Sequence, residues 1–215
     1  MSAERAVGVF GGCFDPIHNG HRAIAAAAAS ALPVARVLLV VNGQPAHRRA
    51  PVADYRQRLA MAGIVADSCL EAGSRVELSE LEKPGSERYA IDTVAEVRRQ
   101  GLWPVLIVGA DAFASLPDWH RWEELLEDAS FAVVARPAAV NQPVHERLAQ
   151  MTVDDPSRLS AGPCIWHWRL AVADCASGCI RSQLAAGQSK AAGKCLDERV
   201  LAYIRKQGIY AAACQ

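Results

Sequence analysis

Apolar positions along the 215-residue chain come in short runs separated by longer amphipathic stretches. The run Ala6-Val7-Gly8-Val9-Phe10 reads as a buried strand, and a glycine-rich turn leads from it into a helical stretch from about His21 to Leu32. Residues 36–41 (RVLLVV) predict a second strand, Asp54 to Cys69 has helical spacing, and Arg75 to Leu78 is a short third strand. The alternation continues with a helix over Ile91 to Gln100, a strand over Val105 to Val108, a helix near Trp122 to Leu126 and a strand over Phe131 to Val134. An isolated strand near Ile165 to Trp168 and a helix from Asp197 to Gln207, stopped by Gly208, follow. Strands alternating with helices in this way predict a parallel sheet with helices on both faces. The segment from Ala138 to Pro163, rich in Pro, Asp, Ser and Asn, reads as a surface excursion.

Composition narrows the picture. Lys plus Arg and Asp plus Glu both number 23, so bulk charge points neither to a nucleic-acid partner nor to an anionic membrane surface. Any phosphate binding must come from locally placed cations. The first apolar run is too short for a signal peptide, and no stretch is long enough to span a membrane. The seven cysteines are odd in number and form no CxxC pair, so neither a disulfide framework nor a zinc ribbon is expected, and the setting reads as a reducing cytoplasm. Cys175 and Cys179, four apart, could form half a metal site, but nothing nearby completes it; small buried thiols are the expectation.

The chemistry is concentrated in Gly11-Gly12-Cys13-Phe14-Asp15-Pro16-Ile17-His18-Asn19-Gly20-His21, where a strand ends and a helix begins. Unpaired N–H groups and the positive end of a helix dipole make such a junction an anion site, and two histidines add donors. The spacing is neither GxxxxGK[ST] nor GxGxxG. Taken alone, His18 and His21 fit a helix cap or a core as well as a phosphate site.

The run GGCFDPIHNGH resembles the opening signature of the HxGH nucleotidyltransferases, and in detail the bacterial nicotinate mononucleotide adenylyltransferases, which usually have threonine where Cys13 stands. Further segments follow in that family's order: Pro45-Ala46-His47-Arg48, Arg58-Leu59-Ala60-Met61, Arg88-Tyr89-Ala90-Ile91-Asp92-Thr93 (like Ser-Tyr-Thr-Ile-Asp-Thr), Gly109-Ala110-Asp111-Ala112-Phe113, Leu116-Pro117-Asp118-Trp119-His120-Arg121-Trp122, and Arg136-Pro137. The resemblance implies a Rossmann-like α/β fold, a doubly wound parallel sheet with a small C-terminal helical extension. One domain is expected over residues 1–215, with 1–137 as nucleotide-binding core and 138–215 supplying the excursion, the last strand and the C-terminal helices.

The implied reaction moves AMP from ATP onto nicotinic acid mononucleotide and releases pyrophosphate. Catalytic roles fall to His18, His21, Arg48 and Arg181, with ATP also expected at Gly11, Gly12, Phe14, Gly109, Asp111, Ser177 and Ile180. Asp111 would accept from ribose hydroxyls, a helix N-cap being its competing role. The acceptor would meet Arg48, Ala90, Trp119, His120 and Arg136, with Trp119 stacking on the pyridine ring and Trp122 the more buried of the two tryptophans. Mg²⁺ would arrive with ATP and keep mostly water ligands, without a dedicated protein cage.

The chain departs from the family pattern where Ser-x-Thr-x-Ile-Arg becomes Ala176-Ser177-Gly178-Cys179-Ile180-Arg181, losing both aligned hydroxyls, and at Cys13 and Ala90. Two other readings compete: an HxGH transferase with a different acceptor, and a nucleotide-binding regulator that has lost turnover. A class I aminoacyl-tRNA synthetase fragment shares HxGH, but no KMSKS-like segment occurs.

Overall fold

The chain builds a seven-stranded sheet from β1 (Ala6–Gly12), β2 (Val37–Val41), β3 (Val76–Ser79), β4 (Trp103–Gly109), β5 (Ser130–Ala135), β6 (Thr152–Val153) and β7 (Ile165–Arg169). Their order is β3-β2-β1-β4-β5-β7-β6, with every pairing parallel. This is a computed structural model, and it describes residues 3–43, 50–82, 88–135 and 145–211. Parallel strands covered on both faces should be apolar throughout, and β2 is buried at all five positions.

Alternate residues of each strand feed two cores. Phe10, Leu39, Val41, Val105, Ile107 and Val134 point into one, shared with α1 (Asn19–Ala31), α2 (Tyr55–Glu71), α7 (Ser177–Ala185), α8 (Ser189–Gly193) and α9 (Glu198–Gln207). Val7, Val9, Leu38, Val40, Leu106 and Phe131 point into the other, beneath α3 (Ala90–Arg99), α4 (Ala110–Ala114), α5 (Trp122–Asp128) and α6 (Glu146–Gln150). Helices therefore cover both faces, as the sequence predicts. The alanines of α1 allow close approach, with Ala25 and Ala28 fully buried.

Three expectations need correction. The strand near 165–168 is not isolated, since β7 lies between β5 and β6. The described part of the 138–163 excursion folds onto the body: β6 extends the sheet, Leu148 and Leu159 are buried, and Trp103 Nε1–H donates to the Leu159 carbonyl at 3.0 Å. The third concerns the cysteines, because Cys175 and Cys195 form a disulfide with Cα atoms 5.7 Å apart. Cys175 lies just before α7, and Cys179 is exposed. Cys69 and Cys164 are buried thiols, as expected.

Candidate active site

Strand order reverses between β1 and β4, so the connections after them leave to opposite faces and open a crevice at the strands' carboxyl ends, where open α/β sheets bind ligands. A cavity of about 460 Å³ occupies that crevice. The ends of β1 and β4, with Gly11, Gly12, Cys13 and Gly109, form its floor. Ala90 and Tyr89 at the start of α3, and Trp119 and His120 from the turn before α5, form a wall. Gly11 and Gly109 leave open space where a Cβ would stand, so a ligand can lie on the bare backbone there.

Beside this cavity the histidines begin α1. His18 is the N-cap: its Nδ1 accepts from the His21 N–H at 3.3 Å, while His21 Nδ1 accepts from the His18 N–H at 3.2 Å. This is a capping box made by two imidazoles, with the rings stacked 3.7 Å apart and 20° from parallel. An Nδ1 that accepts carries no proton, so both neutral rings are the Nε2–H tautomer and present Nε2–H as donor. Gly20 makes the stack possible, because a Cβ there would lie 3.1 Å from His18 Cε1 and Nδ1.

Phe14, at φ 50°, is 3 % exposed and packs edge-on to His21 with centroids 5.0 Å apart. Its side chain therefore props the histidine, and only its backbone is left for ATP. Ile180 is likewise 1 % exposed, so its side chain belongs to the core and only its backbone is left for ATP.

Two charged residues that sequence reasoning did not assign to the site hold the loop in place. Arg58, 2 % exposed, donates to the carbonyls of Cys13, Asn42, Gly43 and Ala53 at 2.8–3.2 Å, fastening the ends of β1 and β2 together. Asp15 accepts from the Val52 and Ala53 N–H groups at 2.8 and 3.0 Å and from the Tyr210 hydroxyl at 2.6 Å. Burial, and then Asp15, push the Tyr210 hydroxyl's pKa far up, so it stays a donor. Nothing in the local sequence marks either residue as buried; the pairing partners are 15 to 195 positions away for all but Ala53 of Arg58's set.

Arg181 Nη1 donates to the Asp15 carbonyl at 2.6 Å and lies 3.7 Å from its carboxylate, and Ser177 Oγ donates to the Pro16 carbonyl at 2.9 Å. Both residues tie α7 to the histidine loop. Asp111 is exposed in the first turn of α4, whose N-cap is Gly109, so the competing cap role is not realised; it does not line the cavity. Trp119 and Trp122 are both half-buried, so Trp122 is not set apart as expected. The His120 ring packs against Tyr89, tilted by 33° with centroids 4.3 Å apart. Arg48 and Arg136 lie outside the described residues.

The cavity wall also holds Glu82, Arg88 and Thr93. Burial raises the Glu82 pKa, against a 2.9 Å hydrogen bond from Thr93 Oγ1 and the nearby charge of Arg88. Arg88 thus puts a cation on the same wall as Ala90.

A model of the cytidylyltransferase-like family matches residues 9–172. A probable nicotinate-nucleotide adenylyltransferase of Pseudomonas putida (strain GB-1) is 36% identical over 220 residues, covering 98% of this chain and 97% of that protein. The chain belongs to the nicotinate-nucleotide adenylyltransferase family. Another member, from Methylococcus capsulatus, is 35% identical over 95% of this chain and 99% of its own length. Among solved structures, the nicotinic acid mononucleotide adenylyltransferase of Plasmodium falciparum complexed with NaAD shares the fold at a TM-score of 0.76 and 15% identity, over 96% of this chain and 98% of that one.

For a nicotinate-nucleotide adenylyltransferase the altered α7 motif has a defined consequence. Ala176 is the N-cap and makes no side-chain cap bond, while a Cβ at Gly178 would meet only Arg181 Nη2, at 3.9 Å. Backbone N–H donors of the first turn remain approachable there. No helix among the described residues is long and apolar enough to cross a membrane.

Proposed function

We propose that the chain transfers AMP from ATP to nicotinic acid mononucleotide, giving the dinucleotide and pyrophosphate, with the acceptor in the β1/β4 cavity and the ATP phosphates over the start of α1. The observation that carries this reading is the stacked His18/His21 pair, its Nε2–H tautomers fixed by reciprocal capping, beside a cavity walled by Trp119. An acceptor phosphate oxygen attacks the α-phosphorus in line as the bond to pyrophosphate breaks. Both reactants are anionic, so the barrier lies in bringing charges together rather than in removing a proton.

His18 and His21 would donate to oxygens of the transferring phosphoryl group, and the first turns of α1 and α7 would add N–H donors. Arg181 would hold the loop through Asp15 and add positive charge at its edge, with Arg48 as a second clamp. Asp111 remains the candidate for ribose hydroxyls, and Arg136 and His120 for the acceptor side. Mg²⁺ bound to the nucleotide would neutralise phosphate charge and keep mostly water ligands. Dependence on ATP supports a cytoplasmic location, although the Cys175–Cys195 bond weakens the cysteine-based reason for it.

Purified protein with ATP and Mg²⁺ is offered nicotinic acid mononucleotide, nicotinamide mononucleotide and phosphopantetheine, and pyrophosphate release is followed. Turnover favouring the nicotinate acceptor is expected. Silence with all three would leave only a nucleotide-binding protein.

A further inference from the structure

Resting on that reading, we infer that Arg88 is the group that makes this cavity select a carboxylate-bearing pyridine ring over its carboxamide. The two acceptors differ only in one exocyclic position, where an anionic oxygen stands in place of a neutral NH₂. Two of the wall's contacts cannot tell them apart. The Trp119 face stacks on either ring, since a π-surface does not read the exocyclic group. A first-turn N–H of α3, such as that of Ala90, can donate to a carboxylate oxygen or an amide oxygen alike.

Charge in the wall otherwise favours the wrong acceptor. Glu82 and Asp118 both line the cavity, and carboxylates there repel an acid more than an amide. Among the described lining residues Arg88 alone carries a permanent positive charge, two positions before Ala90 on the same wall. Its guanidinium offers parallel N–H donors that match two carboxylate oxygens, whereas a carboxamide would present its own N–H to one of them and lose that bond. Ala90 adds no hydroxyl to the wall, so the cation two residues earlier is the element that reads the charge.

The test measures kcat/KM for nicotinic acid mononucleotide and nicotinamide mononucleotide with wild type, Arg88→Ala and Arg88→Lys. The expected result is an acid-to-amide ratio reduced about 10- to 100-fold in Arg88→Ala, through the KM of the acid, as for a lost charge-assisted bond. Arg88→Lys, a point charge without the fork, is expected between the two. Wild-type preference for the acid with an unchanged ratio in Arg88→Ala overturns the assignment, as does an equal loss with both acceptors. No wild-type turnover with either acceptor, while ATP still binds, overturns the adenylyl-transfer reading and this inference with it.

Discussion

Replacing Gly20 by alanine separates catalytic geometry from stability. The new Cβ would lie 3.1 Å from Cε1 and Nδ1 of His18 and 3.3 Å from the Ala173 carbonyl oxygen. Carbon contacts relax near about 3.5–4.0 Å, so the imidazole must retreat by roughly half an ångström. It has little room, because His21 is stacked at 3.7 Å on it and its Nδ1 is held by the His21 N–H. Forcing the ring off its rotamer costs about 0.5–1.5 kcal/mol, while alanine in a helix gains up to about 1 kcal/mol over glycine. Stability should therefore stay close to wild type. Turnover should not, since degrading one charge-assisted hydrogen bond of about 1.5–3 kcal/mol lowers kcat about 10- to 100-fold. Steady-state pyrophosphate release and thermal melting on the same preparations decide it. A kcat within about twofold of wild type, or a fall in Tm large enough to account for lost activity, would refute this view of Gly20.

Trp119→Ala should raise the acceptor KM about tenfold or more with a smaller change in kcat, because stacking is present in both ground and transition states; a pure kcat effect would contradict the stacking role. The Cys175–Cys195 bond spans 20 residues, and closing such a loop stabilises by about 3 kcal/mol in the chain-entropy model, or about 6–12 °C in Tm. A reductant should lower the wild-type Tm by that order and leave Cys175→Ser unmoved; an indifferent wild type would count against the bond. Asp197 caps α9 through the Arg199 N–H at 2.9 Å and accepts from Ser68 Oγ at 2.7 Å. Burial acts to raise its pKa, but those hydrogen bonds and the charges of Arg199 and Arg22 outweigh it and hold the carboxyl below its usual value. A depressed carboxylate contributes above its unfolded pKa of about 3.9 and loses that contribution as pH falls through the folded value. Asp197→Ala should thus cost about 1–2 kcal/mol near neutrality, with the gap to wild type narrowing below about pH 4 in a pH series of denaturant melts; a gap constant with pH would show that the charge contributes nothing.

The central strands are legible because burial on both faces demands unbroken apolar runs, and β1, β2, β4 and β5 show them. β6 has two residues, too few for any period, and Leu159 is one apolar position in a polar stretch, so the body formed by residues 145–163 is invisible locally. Pairing of Cys175 with Cys195 depends on where the segments before α7 and α9 meet, which spacing does not encode. The histidines were found as a motif, but their capping box escapes a template that looks for Ser or Thr followed by Glu. The resemblance puts Phe14 and Ile180 at the ATP site, and a motif match does not reveal that their side chains turn into the core. Arg58 and Asp15 look like ordinary surface charges until the chain folds around them.

Those two residues also bear on the lost hydroxyls at Cys13, Ala90, Ala176 and Gly178. A side-chain hydroxyl contributes about 0.5–1.5 kcal/mol when it hydrogen-bonds, so each loss is affordable only if the backbone donors stay in place. Arg58 holds the carbonyls at the ends of β1 and β2, and Asp15 holds the start of α2, the Tyr210 hydroxyl and, through Arg181, helix α7. The first turns of α1, α3 and α7 contribute N–H groups that no substitution except proline removes. On the proposed reading, backbone dipoles fixed by two buried charges would stand in for the lost hydroxyls toward the phosphates, with Arg88 facing the acceptor's acid group. On that logic a change at Arg58 or Asp15, neither of which lines the cavity, should harm the reaction more than the hydroxyl losses the chain already carries.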